Sequence, residues 1–523
     1  MLQASSWVSS SRTFGTMAAA VVTFALLVIA GCSGVHAAAQ PHILFIASDD
    51  MGWNDVGFHG NEAIKTPNLD ALAHEGVILN HTYVQPVCSP TRSCFMSGRF
   101  PFHTGLQHAV IKPERAYGLN LTITTTAQHL KELGYSTHII GKWHLGFCNK
   151  EYTPTQRGFD SFFGYYLGAE DYYTHQRSGS VPKSGHDELG KGDRNIIGLD
   201  LHRDTVDTYN NALDENGTYS TYAFAKEAVN IVKNHKAQDG PLYLYLPFQA
   251  NHGPLEAPDR FVHMYDNIKN SSRRVLSAMV TAMDEAIGNI TQAYKDQGLW
   301  ENTMLIFTTD NGGPVTVGAN NWPLRGSKAT VWEGGTRGSA FIHGFMLNKT
   351  GYTYNGMTHA VDWYPTVVSI AGGKVDTSDI DGLDVWPALQ NNLTSPRTGF
   401  VYNIDETGNV SAIRVGKYKY LKGHPGGRNS WYPVPTDQSP LEDYLLVTEK
   451  QAPPETGPWL FDLDVDPLEK NNLYSTMPDQ VKVMEAQLAE YMAGYVDDLF
   501  SKHLPDPKCD PALYNGAWTT GWC

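Results

Sequence analysis

The chain is poor in cysteine, in positive charge and in long apolar runs. Its six cysteines are few for 523 residues, and none forms a C-x-x-C pair. A Walker loop and an H-E-x-x-H helix are also missing, which removes P-loop, zincin and dithiol chemistry. No internal repeat is visible. Lys and Arg number 39 against 54 Asp and Glu, a formal net charge of −15. That balance argues against generic nucleic-acid binding, so an anionic substrate must be drawn in by a local basic pocket. The apolar run Met17–Ala30 is too short and too early for a membrane span. With Arg12 before it and Ala37-Ala38-Ala39 behind, it reads as a secretory signal peptide over residues 1–39, cleaved before Gln40 or two residues earlier. Ile29-Ala30-Gly31-Cys32 also matches a bacterial lipoprotein box, but eight N-x-S/T sequons (Asn80, Asn120, Asn216, Asn270, Asn289, Asn348, Asn392 and Asn409) favour a eukaryotic secretory route.

What is present suits a large globular enzyme. The length suggests two or more domains, and the apolar fraction of 41% supplies a sizeable core. Four short apolar runs, at 41–48, 136–140, 241–246 and 304–309, read as buried parallel strands. They run into Asp49-Asp50, Gly141-Lys142-Trp143-His144, Gln249-Ala250-Asn251-His252 and Asp310-Asn311-Gly312-Gly313. Helical stretches lie between them at 66–75, 124–133, 219–235 and 273–297. The alternation predicts an α/β fold, a mostly parallel sheet flanked by helices. Open sheets of this kind hold ligands at the carboxyl ends of their strands, so the four clusters should converge. The methionine-bearing stripe of 273–297 reads as core. Residues 176–216 read as a long irregular loop, either an insertion at a binding rim or simply a mobile stretch. Polar residues near 391–397 suggest a boundary between a catalytic domain, 40–395, and a smaller C-terminal α+β domain, 396–523. In the latter, 411–421 reads as one exposed strand, 459–463 as another and 480–495 as a helix. Asp462, Asp464 and Asp466 imitate a calcium loop, but Pro467 and Leu473 stand where glycine and glutamate are required.

Two sets of side chains carry chemistry. Asp49, Asp50, Asp310 and Asn311 offer four oxygen-bearing groups and no soft ligand, which suits calcium or magnesium rather than zinc. Arg92, Lys142, His144, His252 and Lys328 can together neutralise a tetrahedral anion and move protons, although each alone has an ordinary structural explanation. Arg325 and Arg337 read as structural. At the centre stands Cys88-Ser89-Pro90-Thr91-Arg92-Ser93-Cys94, a thiol at an apparent helix start whose N–H groups favour anions.

The C-x-P-x-R pattern of Cys88 to Arg92, followed by Ser97-Gly98-Arg99, resembles the signature of formylglycine-dependent sulfatases. The Asp-Asp after the first strand, Gly-Lys-Trp-His-Leu-Gly at 141–146 and the late Asp-Asn-Gly stand in that family's order, from about His42 to the end. The blocks 154–160, 168–173 and 322–326 look closest to its N-acetylgalactosamine-4-sulfatase (arylsulfatase B) branch. The resemblance implies an alkaline-phosphatase-like fold and a sulfuric ester hydrolase acting on a sulfated carbohydrate or aryl sulfate. It implies that a formylglycine-generating enzyme oxidises Cys88, and that Asp49, Asp50, Asp310, Asn311 and the modified Cys88 bind one Ca2+. Arg92 would stabilise the hydrated aldehyde, while Lys142 and Lys328 hold sulfate. Asp310 would act as base, His252 with Lys328 as acid to the departing alcohol, and His144 as base in expelling sulfate. The expected setting is the secretory pathway, lysosomal or extracellular, for a glycoprotein with no membrane span and no nucleic-acid partner.

The chain also departs from that branch. It lacks the extra cysteines found there after the nucleophile segment and around 176–216, and Asn-His-Gly-Pro replaces a context with glutamate after the histidine. With Cys32 removed and Cys88 modified, Cys94, Cys148, Cys509 and Cys523 allow three pairings. Cys509–Cys523, pinning the tail, is the preferred expectation. Two rival readings are a phosphatase or phosphodiesterase of the same superfold, disfavoured by the missing second metal cluster, and a glycan-binding pseudo-sulfatase whose Cys88 is never converted.

Overall fold

Four apolar runs become neighbouring strands in the computed structural model, which describes residues 40–181, 194–436, 440–450, 452 and 457–523. The signal-peptide and lipoprotein-box readings therefore lie outside the described residues. The strands in chain order are β1 (His42–Ser48), β2 (Val77–Tyr83), β3 (Ser136–Lys142), β4 (Ser161–Tyr165), β5 (Gln176–Val181), β6 (Arg194–Leu199), β7 (His202–Thr205) and β8 (Leu242–Pro247). They continue with β9 (Thr303–Thr309), β10 (Ala340–Gly344), β11 (Tyr352–His359), β12 (Gly399–Asp405), β13 (Val410–Val415), β14 (Tyr418–Gly423) and β15 (Trp459–Asp462). Nine form one sheet in the order β11-β2-β10-β9-β1-β8-β3-β4-β7. The predicted strands β9, β1, β8 and β3 are adjacent and parallel at its centre. β10 and β7 run antiparallel to their partners.

The central strands are apolar throughout because both faces are covered. Leu44 and Ile46 of β1 join Leu242, Leu244 and Leu246 of β8 in one core. Against that face pack α1 (Pro67–Glu75), α4 (Ser220–Asn234) and α5 (Ser271–Asp296), through Leu72, Phe224, Val280 and Met283. Ile43, Phe45, Tyr243 and Tyr245 point the other way, toward α2 (Cys88–Ser97), α3 (Thr126–Glu132) and α6 (Trp363–Ile370). Each fully buried Leu, Ile or Phe stabilises this arrangement by about 1.5–3 kcal/mol. β12 to β15 form a separate antiparallel sheet. Its inner residues Phe400, Ile404 and Leu460, with Val481 and Met484 of α7 (Pro478–Tyr491), continue the second core.

The structure corrects three expectations. The described residues of 176–216 are not an irregular loop: β5 and β6 pair antiparallel, and β7 closes the edge of the main sheet. These strands are short and polar, so they carry no apolar period. Residues 411–421 are not one exposed strand but parts of β13 and β14, turning at Gly416 (φ 55°), with Ile413 and Leu421 buried. Cys523 pairs with Cys148 instead of Cys509, and Cys94 and Cys509 remain buried thiols. The tail sets this pairing, since Gly521 and Trp522 N–H groups donate to the Cys148 carbonyl at 2.7 and 3.0 Å.

Candidate active site

Sheet register builds the site. Ser48 of β1 pairs with Thr309 of β9, so Asp49 and Asp310 leave neighbouring strands side by side. The Asp310 N–H donates to Ser48 O at 3.1 Å, and the Asp49 N–H to Ala250 O, just after β8, at 2.9 Å. Lys142 is the last residue of β3. Across this row lies α2, buried along its whole length, with Cys88 as its first residue and Val87 extended before it. Cys88 therefore sits at the N-terminal end of α2, where the helix dipole favours anions.

The predicted residues meet. Ligand atoms of Asp49, Asp50, Cys88 and His252 all lie within 4.8 Å of one another. Arg92 grips Asp310 with two donors, Nε at 3.1 Å and Nη2 at 2.8 Å, and its Nη1 donates to Lys142 O at 3.2 Å. Lys142 Nζ is 2.5 Å from Asp49, and Lys328 Nζ is 2.5 Å from Asp50 and 3.4 Å from the Cys88 sulfur. Asp310 and Asn311 join through Asp50, whose N–H reaches Asp310 at 3.3 Å and whose Oδ1 accepts from Asn311 Nδ2 at 2.7 Å. His252 Nε2 lies 3.7 Å from Asp50. His144 donates from Nε2 to Ile111 O at 2.9 Å, which leaves its buried Nδ1 without a partner among the described residues. Asp50, His144 and Ala329, next to Lys328, have φ of 63°, 58° and 66°, so backbone strain is concentrated here. Arg325 and Arg337 are structural, as expected: Arg325 lies 3.6 Å over the Trp332 ring, and Arg337 donates to Asn80 O at 2.8 Å.

Electrostatics follow from burial and pairing. Burial alone would raise Asp49 and Asp50, yet Lys142 and Lys328 respectively, with His252, hold both below the ordinary carboxylate value. Burial pushes the Cys88 thiol up to about 11 despite both lysines. Burial also lowers His144 and His252; Lys142 and Arg92 add to the fall at His144, whereas at His252 the Asp50 carboxylate opposes it.

The oxygen donors fit a hard divalent cation. The buried Asn311 Oδ1 has no hydrogen-bond partner among the described residues, and it sits beside Asp50 at a cluster that also offers Asp49. Asp462, Asp464 and Asp466 form no such group: Asp466 accepts instead from the Lys470 and Asn471 N–H groups at 2.9 and 2.7 Å.

Sequence reasoning missed a ring of tyrosines around the site. Tyr172 O–H donates to His252 O at 2.8 Å, Tyr245 lies against Arg92, and Tyr165 ends β4 beside Asp49 and Arg92. Gly168, in the block 168–173, carries no functional group of its own. A Cβ there would lie 2.8 Å from the His144 ring, so glycine leaves room for that histidine.

A sequence profile described as "Sulfatase" matches residues 41–373, which include every residue of this cluster. The chain belongs to the sulfatase family. It is a sulfuric ester hydrolase of the arylsulfatase type. Arylsulfatase J of Mus musculus is 41% identical over 513 residues, covering 93% of this chain and 81% of the relative. N-acetylgalactosamine-6-sulfatase of Canis lupus familiaris is 28% identical over 487 residues, covering 89% and 88%. Among solved structures, Ps i-CgsB in complex with k-i-k-neocarrahexaose superposes with a TM-score of 0.72 at 28% identity, covering 88% of this chain and 94% of that one. The family's large, mostly parallel sheet with a small antiparallel C-terminal sheet is the fold described above. No helix among the described residues is long and apolar enough to cross a membrane.

Proposed function

We propose that this sulfatase removes sulfate from glycan chains in the secretory pathway, lysosomal or extracellular, with 4-sulfated N-acetylgalactosamine as its target. The meeting of Cys88, two lysines, two histidines and three aspartates at the strand ends carries this reading. The carbohydrate named for the canine relative and the carrageenan oligosaccharide bound in the solved neighbour support a glycan substrate.

Oxidised to formylglycine by its generating enzyme, Cys88 would supply a hydrated aldehyde, which provides both a nucleophilic hydroxyl and a second hydroxyl that allows sulfate to be expelled. Asp49, Asp50, Asp310 and Asn311, with modified Cys88, would hold a calcium ion that polarises an ester oxygen. The remaining work falls to the chain's own groups. Lys142 and Lys328 bind the sulfate oxygens from two sides. Arg92 fixes Asp310 by its paired donors, so that Asp310 accepts a proton at a set position. His252 is partly open to solvent and gives its proton to the departing alcohol. His144 Nδ1, buried and unpartnered, takes the last proton. Residues 40–395 form the catalytic part and 396–523 its smaller C-terminal companion.

The test is sulfate release from a panel of aryl sulfate and 4- and 6-sulfated N-acetylgalactosamine saccharides, using protein from a host that converts cysteine to formylglycine. Preferential release from the 4-sulfated saccharides is expected, and activity confined to aryl sulfate or to the 6-sulfate would refute the assignment. Chelation with EGTA should lower both activity and thermal midpoint. Calcium should restore both, and zinc should not.

A further inference from the structure

The segment between β4 and β5 takes no direct part in the chemistry, yet it touches both histidines. Its start meets His144. The His144 N–H donates to Tyr166 O at 3.0 Å, and a Cβ on Gly168 would strike the imidazole. The fully buried Asp200 carboxylate fixes this stretch by accepting from the Tyr166 and Leu167 N–H groups at 3.1 and 3.0 Å. The end of the segment meets His252. Tyr172 O–H donates to His252 O at 2.8 Å. Gln249 adds a second tie, since its Nε2 donates to Glu170 O and its carbonyl accepts from the His252 N–H at 2.8 Å.

Tyr172 is held from every side. It is fully buried, its N–H donates to Glu256 Oε2 at 2.9 Å, and its carbonyl accepts from the Ser220 N–H at 2.8 Å. Its ring stacks on Tyr219 with centroids 5.1 Å apart, and Tyr219 O–H donates to Glu256 O at 2.9 Å. A buried tyrosine hydroxyl needs an acceptor. Here the acceptor is the main chain of a histidine whose side chain is 23% exposed and whose Nε2 stands 3.7 Å from Asp50. The other ring nitrogen, Nδ1, lies 2.7 Å from Gly253 O of the same loop. The aim of the imidazole therefore follows its loop, and Tyr172 and Gln249 hold that loop. An acid must meet the departing oxygen at hydrogen-bond distance, and a misplacement of about 1 Å is costly. We infer that Tyr172 is a positioning residue, which sets His252 where the departing oxygen takes its proton. The inference rests on the acid role given to His252 above.

The experiment measures kcat/KM for aryl sulfates whose phenols run from strongly to weakly acidic, in wild type, Tyr172→Phe, Glu256→Ala and His252→Ala. A weakly acidic phenol needs a proton to leave, whereas nitrophenolate leaves without one. A misplaced acid therefore steepens the dependence on phenol acidity, while loosened packing lowers all substrates alike. Tyr172→Phe should lose about tenfold on phenyl sulfate and stay within about twofold on 4-nitrophenyl sulfate, a part of the roughly 10²–10⁴-fold typical of a general acid. Where the thermal midpoint shows that this change impairs folding, Glu256→Ala is read in its place, because it frees the Tyr172 N–H from a half-buried position. Equal losses across the series, or no loss, would overturn the inference. His252→Ala should steepen the dependence further. A slope steepened only by His252→Ala would keep the acid and refute the part given to Tyr172, and a slope unchanged in His252→Ala would overturn the acid role and the inference with it.

Discussion

Arg92 is held at every nitrogen: Nε and Nη2 hold Asp310, and Nη1 holds the carbonyl of Lys142. A guanidinium is suited to this because its planar fork meets a carboxylate with two parallel donors while a third direction remains open. The consequence is a rigid seat for Cys88, two lysines and two histidines. Replacing Cys88 by Ala removes the nucleophile's precursor and little packing, so turnover should fall by at least about three orders of magnitude with the thermal midpoint nearly unchanged. Substantial sulfate release from that variant would contradict its role. The strand-end acids and bases were legible in the sequence because each ends an apolar run. Tyr165, Tyr172, Tyr245 and Gly168 were not, because tyrosines and glycines inside a large core look alike until their neighbours are known.

Among the elements, the loop carrying Lys328 depends on the C-terminal part of the chain. Gly326 N–H donates to Ser430 O at 2.9 Å and Val331 N–H to Pro425 O at 2.9 Å. Trp332 Nε1 donates to Asn429 Oδ1 at 2.6 Å, and Arg325 Nε to Asn429 O at 2.8 Å. Asn429→Ala would leave the buried indole N–H unmet, a cost of about 1–3 kcal/mol, and loosen the lysine. The expected result is a raised KM for sulfate esters in steady-state kinetics, with faster amide exchange over 325–332; unchanged KM would show that the clamp does not position Lys328. The central parallel strands were readable from hydrophobicity because both faces are buried. β5, β6 and β7 were not: Gln176–Val181 and His202–Thr205 are short polar pieces without an apolar alternation, and β7 pairs with β4 about 40 residues earlier in the chain. The Cys148–Cys523 pairing escaped because its partners lie 375 residues apart.

At the scale of the molecule, a buried charge cluster joins the two sheets. Lys419 of β14 lies 3.1 Å from Glu333 and 2.6 Å from Glu469, all three fully buried. Tyr83 of β2 and Tyr402 of β12 donate to Glu333 at 2.8 and 2.7 Å. Lys419, Arg414 and Arg337 together hold Glu333 below its ordinary value, so the charge of Lys419 is shared and only partly offsets the burial of Glu469. Burial and the nearby Glu333 therefore raise Glu469 from 4.5 toward about 7 against the pull of Lys419. The folded chain then holds that proton more tightly than the unfolded chain. Stability from this group is fully present below about 4.5 and is lost as pH rises through about 7. Urea midpoints should decline across that window in wild type and decline less in Glu469→Gln. Identical pH slopes would show that Glu469 ionises normally.

The chemistry proposed for this site turns on the fate of one sulfur atom, that of Cys88. The measurement that tests it directly is the mass of the proteolytic peptide containing Cys88, taken from a preparation with known sulfatase turnover. An active preparation should yield that peptide with the thiol replaced by the aldehyde or its hydrate. A fully active preparation in which Cys88 is still an alkylatable thiol would contradict the account.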